Sequence, residues 1–246
     1  MSSRTQTRAY YDKYATRYDQ RTGLAPRTGH TYNFEKYYVP FLERALPTTG
    51  SVLEIGCGTG FYTRWLAERG LRVVGMDFSP SMIEQAKLRC ADDVELLVGD
   101  CEDPASVLGA SQIGDGFDAI VGVNTFSYYP NKRRALRSYR ELLATDGRLV
   151  LLDIHGNAYS QWIAYLTNFR EARQFAENIG QSTSANISSL LVECGFRVES
   201  IERFTFMPNS VNHVGVAILR PIDWMLSRIP LAEAFAIRIA AVATRA

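Results

Sequence analysis

The segment Leu53-Glu54-Ile55-Gly56-Cys57-Gly58-Thr59-Gly60 places three glycines at alternate positions, after a short β-prone run and before a helix-prone one. A glycine-rich turn of this kind lets backbone approach a ligand closely and points N–H groups at it. It is the opening of a nucleotide-binding α/β unit. The spacing separates ligand classes. A dinucleotide turn takes G-x-G-x-x-G, yet Phe61 stands where the third glycine belongs and Gly60 comes one residue early. No G-x-x-x-x-G-K-[ST] occurs, so a P-loop lysine is missing as well. Asp77 ends the next strand 21 residues after Gly56. A carboxylate about 20 residues on accepts hydrogen bonds from ribose hydroxyls. Asp100, in Gly99-Asp100-Cys101-Glu102 past the third strand, is placed to accept from an exocyclic amine.

Histidine is the natural base near neutral pH. His155 directly follows the fifth strand, at the carboxyl edge where open α/β sheets bind ligands, and is the first candidate. His213, in the loop after the sixth strand, is the second. His30, beside Tyr32, reads as surface or lid. Tyr128 and Tyr129, after the fourth strand, either line an acceptor pocket or cover the sheet edge. Cys57 and Cys101 read as small packing residues rather than nucleophiles. Asn124 stands where a metal-dependent mechanism needs an acid, and Asp153 has no adjacent Asp/Asn partner, so metal dependence is disfavoured.

These groups need a frame, and the chain supplies a regular one. Strands are expected at 51–55, 71–76, 94–98, 117–123 and 148–154, with helices at 61–68, 80–90 and 131–144 between them. Ser79-Pro80 is a helix start, with serine as N-cap and proline at the first helical position. Strands alternating with helices predict βαβ crossovers and a parallel sheet covered on both faces. Residues 1–48 precede this rhythm and are rich in tyrosine. Residues 155–183 interrupt it as a cap insertion with Trp162, Tyr165 and Phe169, before a helix at 184–194, a strand at 196–205, a helix near 221–228 and a last strand around 237–244. The stretch from Arg220, with Trp224, Met225, Leu226, Ile229, Leu231, Phe235 and Ile237, reads as core rather than as a membrane-surface helix, because Asp223, Pro230 and Glu233 interrupt it and its final run resembles the last strand of the sheet.

The chain has 246 residues, 27 Lys+Arg against 26 Asp+Glu, and 46% hydrophobic residues. The balanced charge excludes a strong basic footprint for nucleic acid. Four scattered cysteines form no CxxC, which fits reduced thiols in a cytoplasm and no structural zinc. The polar opening MSSRTQTRAYYDKY lacks the apolar stretch of a secretory signal, and no uninterrupted apolar run is long enough to span a membrane.

E-I-G-C-G-T-G, then G-M-D-F-S-P-S-M-I, V-G-D-C-E, F-D-A-I-V-G-V-N and R-E-L-L-A-T-D-G-R-L-V-L-L-D resemble, in order over about Val52–Asp153, the class I S-adenosylmethionine-dependent methyltransferases of small-molecule, ubiquinone-biosynthesis-like type. Tyr11–Asp19 is similar to the Y-D-x-x-A-x-x-Y-D opening of many members. The resemblance implies a Rossmann-like, doubly wound α/β fold: a seven-stranded, mostly parallel sheet with an antiparallel last strand, an N-terminal helical lid at 1–48, and a domain at 49–246 with the insertion after strand 5. It implies S-adenosyl-L-methionine as cofactor and S-adenosyl-L-homocysteine as product. Gly56, Cys57, Gly58 and Gly60 would pack against the methionine part, with Glu54 holding the turn. Asp77 would bind the ribose, Phe78 and Met82 would flank adenine, and Asp100, Cys101 and Glu102 would border it. Asn124 would face the ammonium, and Tyr14 or Tyr18 would close over the site. The expected reaction is methyl transfer to O or N of a small organic acceptor by a monomer or homodimer. Carbon methylation of a quinone-like ring, and a cofactor-binding protein, lyase or cyclase on the same scaffold, remain open. RNA and protein methylation are disfavoured by the charge and by Asn124-Thr125-Phe126-Ser127 in place of an N/D-P-P-Y/F motif.

Overall fold

Apolar strands that must be covered on both faces dictate the architecture. The computed structural model describes residues 3–22, 24, 26–156, 183–209 and 211–246. Its strands are β1 (Ser51–Ile55), β2 (Arg72–Asp77), β3 (Glu95–Val98), β4 (Phe117–Val123), β5 (Leu143–Ile154), β6 (Phe196–Phe204) and β7 (Arg238–Arg245). Among the described residues they form one seven-stranded sheet in the order β3-β2-β1-β4-β5-β7-β6. Pairings from β3 through to β5 are parallel, and β7 runs antiparallel to both β5 and β6. The strand order reverses between β1 and β4, the switch point outside which such sheets bind ligands.

Side chains alternate across each strand, so one sheet supplies two cores. Leu53, Ile55, Val74, Ile120, Leu149 and Leu151 face one side, against Leu136 and Tyr139 of α8 (Lys132–Leu142) and Leu191 of α9 (Ser184–Glu193). Val52, Val73, Ala119, Val121, Val150 and Leu152 face the other, against Phe41 and Leu42 of α4 (Val39–Ala45) and Trp65 and Leu66 of α5 (Phe61–Ala67). Before α4 the chain forms α1 (Ser3–Tyr14), α2 (Tyr18–Thr22) and α3 (Gly29–Asn33); α6 (Pro80–Arg89) follows β2, and α7 (Ala110–Ile113) precedes β4. The Ser79 side chain accepts from the Met82 N–H at 3.2 Å, the cap that the sequence led one to expect. The cap insertion with Trp162, Tyr165 and Phe169 lies outside the described residues except at its ends.

Two expectations are corrected. His30 is not at the surface. It is 2% exposed, stands among Phe34, Phe61 and Tyr62, and pairs through Nε2 with Tyr62 Oη at 2.8 Å; burial pushes its imidazole down to about 3. The stretch after β6 is core only in part: Ile237 is buried, and Leu226 packs against buried Phe206, Ala232 and Ala236. The helix α10 starts at His213, capped by Asn212, and runs to Leu226 straight through Pro221. Trp224, Met225, Ile229, Leu231 and Phe235 are exposed, because Asp223 rather than the apolar stripe is turned inward.

Asp223 ties both ends of the chain together. Its carboxylate accepts from Tyr37 Oη (2.5 Å), Tyr32 Oη (2.7 Å), Lys36 Nζ (2.9 Å), Thr205 Oγ1 (3.1 Å) and the Phe206 N–H (2.8 Å). Although burial alone would raise its pKa, these donors and the nearby ammonium hold it below its ordinary value. A lowered folded-state pKa contributes stability that is full above the ordinary carboxylate range of about 4 and lost as pH falls through the folded value. Asp223→Ala should therefore lower the free energy of unfolding by about 2–4 kcal/mol at pH 7, since buried donors lose their acceptor. Urea titrations should show that difference shrinking below pH 4; a pH-independent difference, or none, would contradict the anchor.

Candidate active site

The carboxyl ends of β1, β2 and β4 enclose a cavity of about 650 Å³. One wall is the turn after β1. Gly56, Gly58 and Gly60 have φ of +68°, +55° and +78°, a left-handed region in which a Cβ is costly. At Gly56 the space is also taken: a Cβ there would stand 2.1 Å from Thr125 Oγ1. Beneath the turn, buried Glu54 accepts from Thr63 Oγ1 at 2.5 Å, and burial pushes its carboxyl up to about 8. Glu54 is thus a protonated brace at neutral pH.

Asp77 joins the turn to the end of β2. One oxygen accepts from the Gly58 N–H and the other from the Ser79 N–H, both at 2.9 Å. Burial outweighs these bonds and pushes the carboxyl up to about 6. Opposite, Asn124 follows β4 at φ +53°, and its Oδ1 is buried with no hydrogen-bond partner. Its N–H donates to Leu152 O at 2.7 Å, so the strained backbone is held by β5. A left-handed residue that lines a cavity and holds a buried acceptor without a partner is the mark of a ligand position. Asp153, at the end of β5, accepts from Ser127 N–H (2.6 Å) and Oγ (2.8 Å), fixing the loop that carries Tyr128.

Of the residues singled out from sequence, Tyr18, Gly56, Gly58, Asp77, Phe78, Met82, Asp100, Cys101, Glu102, Asn124, Tyr128 and Tyr129 line this cavity. Glu102 also accepts from the Asn131 N–H at 3.1 Å. Tyr14, Glu54, Cys57 and Gly60 do not line it; Tyr14 packs on Tyr10, and the last three build the turn from behind. His155 is outside it too. Its Nδ1 lies 2.9 Å from Ala236 O, and since a carbonyl only accepts, Nδ1 carries the hydrogen; burial keeps the ring neutral by lowering its pKa. His213 is exposed at the start of α10.

The lining also includes Arg8, Tyr11, Thr125 and Pro130. Tyr11 was legible: it opens the Y-D-x-x-A-x-x-Y-D stretch, and its ring meets Phe78 at 5.7 Å. The two aspartates of that stretch anchor α1 and α2. Asp12 accepts from Ser79 Oγ at 2.5 Å, and Asp19 accepts from Thr59 Oγ1 at 2.6 Å and pairs with Arg89. Burial raises the pKa of the Tyr11, Tyr18 and Tyr128 hydroxyls, so all three stay protonated.

Comparison with known proteins adds the class. The doubly wound fold is shared along 99% of this chain and 100% of the magnesium protoporphyrin IX methyltransferase of Synechocystis PCC 6803, at a TM-score of 0.65 and 17% identity. Residues 53–149 match a family model described as a methyltransferase domain. The chain is 27% identical over 188 residues (75% of its length) to the malonyl-[acyl-carrier protein] O-methyltransferase of Bacillus anthracis. It is 30% identical over 146 residues (58% of its length) to the demethylmenaquinone methyltransferase of Thermotoga maritima. These matches span 64% and 59% of the two relatives' own lengths. Through residues 53–149 the chain is similar to the class I S-adenosylmethionine-dependent methyltransferases. Among the described residues no group of three or more His, Cys, Asp or Glu is placed to hold a metal, and no helix is long and apolar enough to cross a membrane.

Two glycines with similar backbone separate strain from crowding. Gly70, at φ +81°, has nothing within 4 Å of the place a methyl group would take, whereas Gly56 abuts Thr125. Gly70→Ala should cost about 1–2 kcal/mol, the left-handed strain alone, and Gly56→Ala about 1–3 kcal/mol more, the added cost of overpacking. Equal urea midpoints for the two variants would show that the turn is not held against Thr125.

Proposed function

We propose that this chain transfers a methyl group from S-adenosyl-L-methionine to an oxygen or nitrogen of a small organic acceptor. The observation that carries the reading is the cavity bounded by Asp77, Asn124 and the glycine turn, with the Asn124 Oδ1 buried at its wall and without a partner. When bound, the cofactor supplies an electrophilic methyl on a charged sulfur. The cavity suits such a molecule in its donor set. Asp77 retains lone pairs for two ribose hydroxyls, Asp100 accepts from the adenine amine, and Phe78 and Met82 form the apolar slot beside the base. Asn124 Oδ1 accepts from the ammonium. Gly56 and Gly58 admit the methionine portion because neither carries a side chain.

Transfer by in-line attack is chiefly a matter of holding nucleophile and methyl in near-attack geometry. Tyr11, Tyr18 and Tyr128 remain donors rather than bases, and no histidine lines the cavity among the described residues. The chain therefore positions the acceptor and shields it from water, which suits a nucleophile already unprotonated at neutral pH, such as a carboxylate oxygen. The O-methyltransferase name of the Bacillus anthracis relative supports oxygen over nitrogen.

Calorimetry with S-adenosyl-L-homocysteine tests the ribose role. Asp77→Ala should lose about 1–3 kcal/mol of binding free energy, the cost of removing a buried acceptor. The ionised carboxylate is the better acceptor, so affinity should rise with pH through about 6 and level off above it; in Asp77→Asn that dependence should vanish. Label from [methyl-14C]-S-adenosylmethionine should appear in an oxygen- or nitrogen-bound product. Unchanged affinity in Asp77→Ala would refute the assignment, and tight binding without turnover across carboxylate, phenol and amine acceptors would refute transfer.

A further inference from the structure

An ordinary surface helix turns its apolar stripe to the core and its charges to water. Helix α10 does the reverse. Val214, Ile218, Ile222 and Met225 recur at helical spacing along one side and are all exposed, Ile218 by 64%. Asp223, the sole acid of the helix, projects from the opposite side, is 1% exposed, and is neutralised by Lys36 at 2.9 Å. The stripe continues past the helix end into Leu231 and Phe235, exposed by 86% and 60%. A contiguous apolar face on this scale marks an interaction surface.

Charge and topology indicate what covers it. Arg220 and Arg228 are exposed, and among the described residues neither makes an ion pair. The Arg228 guanidinium lies 3.8 Å over the ring of half-exposed Trp224. Glu233, the exposed acid that follows the helix, is paired with Arg203 at 3.7 Å. The outward face is thus aliphatic side chains, an indole and unpaired cations, the makeup of a helix lying in a membrane interface. Because β6 runs in the same sense as β5, with antiparallel β7 between the two, the excursion that joins β6 to β7 rises from the sheet edge that carries the cavity.

We propose that the outward face of α10, with Leu231 and Phe235 behind it, docks this protein peripherally on an anionic phospholipid bilayer, cavity edge toward the membrane. The docking does not rest on the methyl-transfer reading, and the two fail separately.

Sedimentation of the full chain with phosphatidylcholine vesicles, with and without phosphatidylglycerol, tests it. Binding should require the anionic lipid and weaken with salt. Ile222→Glu/Met225→Glu should lower the partition coefficient by at least about tenfold through lost apolar insertion. Arg220→Glu/Arg228→Glu should lower it by about fivefold per arginine. Vesicles should shift the tryptophan emission to the blue, and Trp224→Phe should remove that shift. All these side chains are exposed, so circular dichroism, urea midpoint and S-adenosyl-L-homocysteine affinity should match the parent and show that each variant is folded. Three outcomes overturn the proposal: no partitioning onto anionic vesicles, equal partitioning of parent and variants, or a concentration-dependent dimer that Ile222→Glu/Met225→Glu dissociates while vesicles bind neither.

Discussion

The hydrogen bond from the Gly58 N–H to the Asp77 carboxylate is the contact on which the site depends. It joins a turn that only glycines can make to the end of a neighbouring strand, and so sets the distance between two cavity walls. Everything further out is referred to it. The second Asp77 oxygen holds Ser79, and the Ser79 hydroxyl holds Asp12 of α1. A run of charge-assisted bonds therefore passes from the glycine turn through the helix cap to α1, each stronger than a neutral pair. Burial that raises the Asp77 pKa to about 6 is the energetic cost of placing that acceptor in the cavity.

Stability and chemistry occupy different parts of the molecule. The two apolar cores lie along the strand bodies, where Leu53, Ile120 and Val150 are wholly buried. Strain and unmet hydrogen-bonding capacity collect at the carboxyl edge, in the left-handed backbone of Asn124 and its unpartnered Oδ1. A sheet held from both faces can maintain a strained edge without distortion, because packed interiors do not yield gradually. Asp223 extends the same rigidity to the ends of the chain by joining α10 to the tyrosines before α4.

The strand–helix alternation and the order of acceptors after successive strands were legible because each is a local pattern: apolar runs closed by glycine or aspartate. Asp77, Asp100 and Asn124 line one cavity because parallel strands end at one edge. What was not legible depends on direction. Position after β5 placed His155 at the correct edge, but sequence does not reveal that its ring turns toward Ala236. Pro221 read as a helix start, whereas the Asn212 cap had already begun the helix. The inversion of α10 was hidden because three of the five donors that draw Asp223 inward lie 186 to 191 residues away in the chain.

A crystal structure of the protein soaked with S-adenosyl-L-homocysteine tests the central claim most directly. The account predicts density in the cavity between β1 and β4, with both ribose hydroxyls on the Asp77 carboxylate and the ammonium on Asn124 Oδ1. Density elsewhere, or in that cavity with Asn124 Oδ1 still unpartnered, would contradict it.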